Sequence, residues 1–189
     1  MQPNPWKALT TWWKAFFLPR ANRFNTLKEG SYLPPVKSLG QRSRGGEVSL
    51  ADRYVDFLTA EGYRPSVDED GDVLFKHEGG HYYISVADED ELFFQLVYPR
   101  FWSIEDEDER GRVLNNANEI NLRFKVVKIY TRDGDTTATL ECFMNSLDDF
   151  KGYFERCMRA VQRAVSEFRE LMIQSGQADG VSADPESKN

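Results

Sequence analysis

The sequence predicts an α+β protein, an antiparallel sheet packed with helices in the order α-β-β-β-β-α-β-β-α. Three observations predict it. Apolar residues recur at steps of four and three from Phe150 to Leu171, the mark of a long amphipathic helix. Two pairs of alternating apolar segments meet at turn signals, Gly79-Gly80 and Asp133-Gly134. Two shorter helical patterns open with capping-box sequences, Ser49-Leu-Ala-Asp52 and Ser103-Ile-Glu-Asp106. Strands that come in hairpins, with helices between the hairpins, indicate α+β layers and not a parallel α/β sheet.

The chain has 189 residues, of which 40% are hydrophobic and 13% aromatic, enough for one domain with tails. Charge is divided unevenly. Residues 1–50 hold eight Lys/Arg and two Asp/Glu, or +6, whereas residues 51–189 hold sixteen and twenty-nine, or −13. The acidic body argues against nucleic acid as a main ligand, because phosphate contacts need clustered cations. Cys142 and Cys157 fall among apolar neighbours and read as small buried hydrophobes. Two cysteines without secretory context fit a reducing compartment, so a cytoplasmic location is expected.

Residues 1–20 predict an aromatic amphipathic helix. Trp6, Leu9, Trp13, Phe16 and Phe17 share one face, Lys7 and Lys14 another, and Pro5 and Pro19 bound it. Three readings of this segment stand open. It docks on its own domain, contacts a partner or second copy through Trp6, Trp13 and Phe16, or lies on a membrane surface through residues 5–18. Its most apolar run, Ala8 to Leu18, is eleven residues and carries Lys14. Spanning a bilayer needs about twenty, and no small-x-small cleavage site follows, so it also makes a poor signal peptide. Residues 21–47 carry Pro34-Pro35, scattered glycines and Arg/Lys without apolar periodicity, and predict a flexible basic linker.

The domain proper is expected over residues 48–174. Its first helix runs from about 50 to 61, with Leu50, Tyr54, Phe57 and Leu58 buried and Gly62 ending it. Tyr63 to Asp68 is a short strand, made an edge candidate by Pro65. A two-residue Gly79-Gly80 turn would pair Glu78 with His81 and His77 with Tyr82. Val73, Phe75, Tyr82 and Ile84 then share a face. Leu92 to Tyr98 is a denser apolar strand suited to the middle of a sheet. The second helix follows Ser103, with Val113, Ala117, Ile120 and Phe124 buried. Its asparagines, Asn115, Asn116, Asn118 and Asn121, are poor helix formers, which points to specific hydrogen bonds.

Asp133-Gly134 is a strong type I′ signal that pairs Arg132 with Asp135, Ile129 with Ala138 and Val127 with Leu140. Val127, Ile129, Ala138, Leu140 and Cys142 form its apolar face. Val126, Lys128, Tyr130, Thr137, Thr139 and Glu141 form a wet one. Ser146 then opens the long helix, expected over about 147–173, whose length leaves part of its stripe for a second subunit. Residues 175–189, rich in Gly, Ser, Asp and Lys, are expected to be disordered.

Chemistry is hard to find. His77 and His81 lie on opposite faces of their hairpin, so no metal site is expected. No nucleophile elbow or phosphate loop occurs, and the acidic runs lack a calcium-loop pattern. No catalytic residue and no cofactor are therefore expected. Phe101-Trp102, between a strand and a helix, reads either as core or, if exposed, as an anchor for a protein partner.

The element order, the pattern Leu114-x-x-x-Asn118-x-x-Asn121 before a hairpin, and the amphipathic last helix resemble the bacterial YbjN (sensory transduction regulator) family. Its domain is similar to type III secretion chaperones. The resemblance covers about residues 49–173 and leaves the aromatic head outside. It implies an α+β sandwich, no known catalytic centre, and homodimers that bind protein segments. The expectation is thus a non-enzymatic protein-binding module, with a membrane-peripheral adaptor as the alternative.

Overall fold

Helix α1 (Leu50–Ala60) begins where the capping box places it. The Ser49 hydroxyl accepts from the Asp52 amide at 3.1 Å and donates to its carboxylate at 2.8 Å. The computed structural model describes residues 48–86, 90–132 and 134–182, with side chains up to residue 177. The sequence-based readings of residues 1–47 lie outside these. The elements after α1 are β1 (Ser66–Val67), β2 (Val73–His77), β3 (Gly80–Ser85), β4 (Phe93–Ser103), α2 (Glu107–Arg123), β5 (Val127–Arg132), β6 (Asp135–Phe143) and α3 (Phe150–Ser182). The strands form one antiparallel sheet in the order β1-β2-β3-β4-β6-β5. This is the predicted α+β architecture and element order.

The inner face of the sheet carries Val73, Phe75, Tyr82, Ile84, Phe94, Leu96, Val127, Ile129, Ala138 and Leu140, all buried in one core with the stripes of the three helices. Period-two alternation places them together, and the helices cover them. At the centre, Phe150 of α3 packs edge-on against Tyr54 and Phe57 of α1, with ring centroids 4.6 and 5.1 Å apart. Toward the other end, Phe168 meets Phe101 edge-on at 5.3 Å.

The β5–β6 hairpin has the predicted register, Arg132 opposite Asp135 and Ile129 opposite Ala138. The β2–β3 hairpin departs from prediction by two residues. Phe75 pairs with Tyr82 and His77 with Gly80, so Glu78 and Gly79 make the turn. Both have positive φ, 46° and 78°, as a type I′ turn demands. Gly80 stays in the strand because there is no room for a side chain. An added Cβ would sit 2.8 Å from Tyr82 Cε2 and 3.1 Å from Tyr98 Cζ. A slip of two residues preserves the faces, so the inner set survives the error.

Two helix ends also move. Strand β4 runs on to Ser103, past an irregularity between Tyr98 and Trp102 where Arg100 takes φ 48°. The cap of α2 is therefore Asp106, whose carboxylate accepts from the Glu109 amide at 2.7 Å. Helix α3 continues to Ser182, so residues 175–182 are helical where disorder is expected. Asn116 of α2 supports this end by donating to Met172 Sδ at 3.1 Å and Ser175 Oγ at 3.2 Å.

Most of the stripe of α3 is used within the chain, and Leu171 at its end is half-buried. Phe150, Phe154, Cys157, Val161, Ala164, Phe168 and Met172 are all buried within the chain. Helix α1 lies beside the N-terminal half and α2 beside the C-terminal half, so two short helices use the length that the sheet does not.

Candidate protein-binding face

Alternation along the strands gives the sheet a second face, away from the core. It carries Phe93, Gln95 and Val97 of β4, Thr137, Thr139, Glu141 and Phe143 of β6, and Lys128 and Tyr130 of β5. The sequence predicts a wet face here, and its centre is not wet. Val97, Thr137 and Thr139 are all buried, although two of the three are threonines. A polar network crosses this centre. The Glu141 carboxylate accepts from Gln95 Nε2 at 3.1 Å and from Thr139 Oγ1 at 3.4 Å, and it pairs with Lys128 Nζ. Such a network fixes the side chains in place and sets the chemistry of the middle of the face.

One end of this face is apolar and open. Phe93 lies directly opposite Phe143 in the β4–β6 register, with ring centroids 5.6 Å apart. Phe143 is 75% exposed, and Val126, next along the same face of the β5 end, is exposed too. The Met144 amide donates to the Leu92 carbonyl at 2.7 Å and the Glu141 amide to the Val126 carbonyl at 3.4 Å, so β4, β6 and β5 stay paired out to this end of the sheet. Large apolar side chains gathered in one exposed patch, with charged groups behind them, are the usual mark of an interaction surface.

The pair singled out from sequence sits elsewhere. Phe101 is 7% exposed and packs on Phe168, with the Arg169 guanidinium 6.0 Å from its ring centroid. It belongs to the core and is not a free anchor. Trp102 is half-buried, and its indole Nε1 donates to Glu109 Oε1 at 3.0 Å. The bulge in β4 explains this, because it turns Phe101 inward and leaves Trp102 over the start of α2. Trp6, Trp13 and Phe16 lie outside the described residues. Phe143 lies one step beyond the wet-face alternation read from sequence, which ends at Glu141. One further step of two places it on the outer face.

Among the described residues, the shifted cysteine, tyrosine and histidine groups are governed mainly by burial. Burial pushes the Cys157 thiol up to about 12, and Cys142 is raised mainly by burial. Both shifts disfavour the reactive thiolate. His81 is lowered by burial and by nearby Lys76. His77 and His81 fall on opposite faces, as the register requires. Among the described residues, no group of three or more metal-ligating side chains gathers, and no helix is long and apolar enough to cross a membrane.

The fold defines a class, an α+β protein of one antiparallel sheet with its helices gathered on one face. The chain belongs to the YbjN family, described as "Putative bacterial sensory transduction regulator", whose model matches residues 51–171. The crystal structure of YbjN from E. coli, described as "a putative transcription regulator", is similar to this one with a TM-score of 0.51 at 11% identity. The match covers 69% of this chain and 94% of that one. At that identity the likeness is one of fold. The crystal structure of an uncharacterized protein from Methanothermobacter thermautotrophicus gives a TM-score of 0.49 at 13% identity, covering 67% of this chain and 99% of that one. No curated protein sequence matches.

Proposed function

We propose that this chain is a non-enzymatic regulatory protein that acts by binding other protein chains, chaperone-like in mode, as a cytoplasmic homodimer. One observation carries the reading. The outer face of the sheet ends in an open apolar patch of Phe93, Val126 and Phe143, two of them exposed. A patch of this kind is favourable to bury and disfavoured in water. Membership in a family of regulators supports a binding role over a catalytic one.

The test is a sedimentation series on the full chain and on Phe143→Glu, which sets a charge in the patch without touching the core. A dimer that weakens by about tenfold or more in the variant, equivalent to about 1.4 kcal/mol, supports the reading. A wild-type chain that stays monomeric at high concentration sinks the homodimer. A dimer unaffected by the substitution removes this patch from it.

The second reading is a membrane-peripheral adaptor that uses residues 5–18, favoured by their alternation of Trp and Phe with Lys. Flotation with anionic liposomes, compared between the full chain and one lacking residues 1–20, separates the two. Equal flotation rules the adaptor out.

A further inference from the structure

The sheet has two edges, and they are protected differently. At one edge β1 is only two residues long and follows Pro65, too short to template a partner strand. At the other, β5 has six residues, Val127-Lys-Ile-Tyr-Thr-Arg132, rich in β-formers and long enough to pair. Among the described residues, a side chain meets its outward backbone at Ile129. Asn121, in the last turn of α2, donates from Nδ2 to the Ile129 carbonyl at 3.0 Å and accepts from the Ile129 amide at 2.8 Å. This is the two-bond exchange that a residue on a neighbouring antiparallel strand would make.

We propose that Asn121 is an edge guard. Its amide stands in for a strand at Ile129, and what it excludes is β5 of a second copy of this chain. The choice of occupant follows from the edge itself. An edge strand that is its own complement pairs with its copy across a two-fold axis, and Ile129 is near the middle of β5. Asparagine suits the task because it offers a donor and an acceptor on one planar group at the reach of a peptide. Asn121 has no comparable helix-stabilising role, since asparagine is a poor residue for a helix interior.

The experiment compares sedimentation over a concentration series for the full chain, Asn121→Leu, and Asn121→Leu combined with Thr131→Pro. Thr131 lies two residues along β5, so its amide faces the same outward side as that of Ile129. Proline there removes the donor that an added strand would need, and an edge strand tolerates it. The expected result is a rise of about twofold in weight-average mass for Asn121→Leu over wild type at matched concentration, reversed by Thr131→Pro. Wild type is the baseline, so the outcome does not depend on whether the native chain is a dimer. A natively folded Asn121→Leu that sediments as wild type overturns the proposal, as does association that survives Thr131→Pro. Should Asn121→Leu lose its fold, Asn121→Ala, which removes both the donor and the acceptor and suits a helix, takes the same test with the same two outcomes.

Discussion

Tyr54 meets Phe150 edge-on at 4.6 Å, and its hydroxyl is buried with no hydrogen-bond partner among the described residues. The ring is a central piece of the core, while the oxygen is a liability in it. An unpaired buried hydroxyl costs free energy that its removal returns. Tyr54→Phe is therefore expected to leave stability unchanged or raise it by about 1 kcal/mol in urea denaturation. Tyr54→Ala is expected to lose about 3–5 kcal/mol by cavity formation. A clear loss on Tyr54→Phe would mean that the hydroxyl has a partner in solution.

The second hairpin position offers a paired test. Gly79 sits in the turn at φ 78° with open space around it, whereas Gly80 lies under the rings of Tyr82 and Tyr98. Gly79→Ala is expected to cost about 1–2 kcal/mol through backbone strain alone. Gly80→Ala is expected to cost about 1–3 kcal/mol by displacing rings whose centroids are 4.4 Å apart. Near-ultraviolet circular dichroism distinguishes them, because only the second moves tyrosines.

Glu109 ties three pieces of chain together. Its carboxylate accepts from Trp102 Nε1 at 3.0 Å and from the Glu105 amide at 2.7 Å, and its own amide caps on Asp106. Glu109→Ala is expected to lower stability by about 1–2 kcal/mol and to change the fluorescence of Trp102, because its indole loses a fixed acceptor. An unchanged melt and spectrum would show that the tie is idle.

Alkaline pH should destabilise the protein. Burial raises Cys157 from 9.0 to about 12 and holds Tyr54, Tyr82 and Tyr153 above their usual range. Between pH 9.0 and about 12 the unfolded chain has released the Cys157 proton and the folded chain has not. The unfolded state thus binds fewer protons, and stability falls as pH rises. The contribution is whole below pH 9.0 and is lost at up to about 1.4 kcal/mol per pH unit for this one group. Denaturation midpoints measured from neutral pH upward should be flat at first and then drop. A midpoint that holds constant to pH 11 would contradict this.

The parts of the fold that follow from local chemistry were legible. The Ser49 cap, the Asp133-Gly134 register and the α3 stripe each depend on neighbours in sequence. The errors arose where a distant residue decides. Gly80 is kept in its strand by Tyr98, eighteen positions away, and Asn116 on another helix bonds α3 at Met172 and Ser175, where the sequence pattern ends. The start of α2 moved because β4 continues through a bulge that period-two reading does not foresee. The binding face was half legible. Its alternation was read as far as Glu141, but Phe143 was not placed, and the burial of Thr137 and Thr139 has no signal in residue type.

The arrangement of α3 has a consequence for how the chain is made. It is the last described element, yet Phe57, Phe94 and Phe101 all find their partners on it. Before α3 is added, Phe57, Phe94 and Phe101 lack the rings of Phe150 and Phe168 that complete their packing. Contacts between residues some ninety positions apart must close before the core exists. During that interval the growing chain exposes the surface most prone to stick to other nascent chains. The protein is thus at its most vulnerable between the synthesis of β6 and that of α3, and a premature stop before Phe150 would fix it in that state.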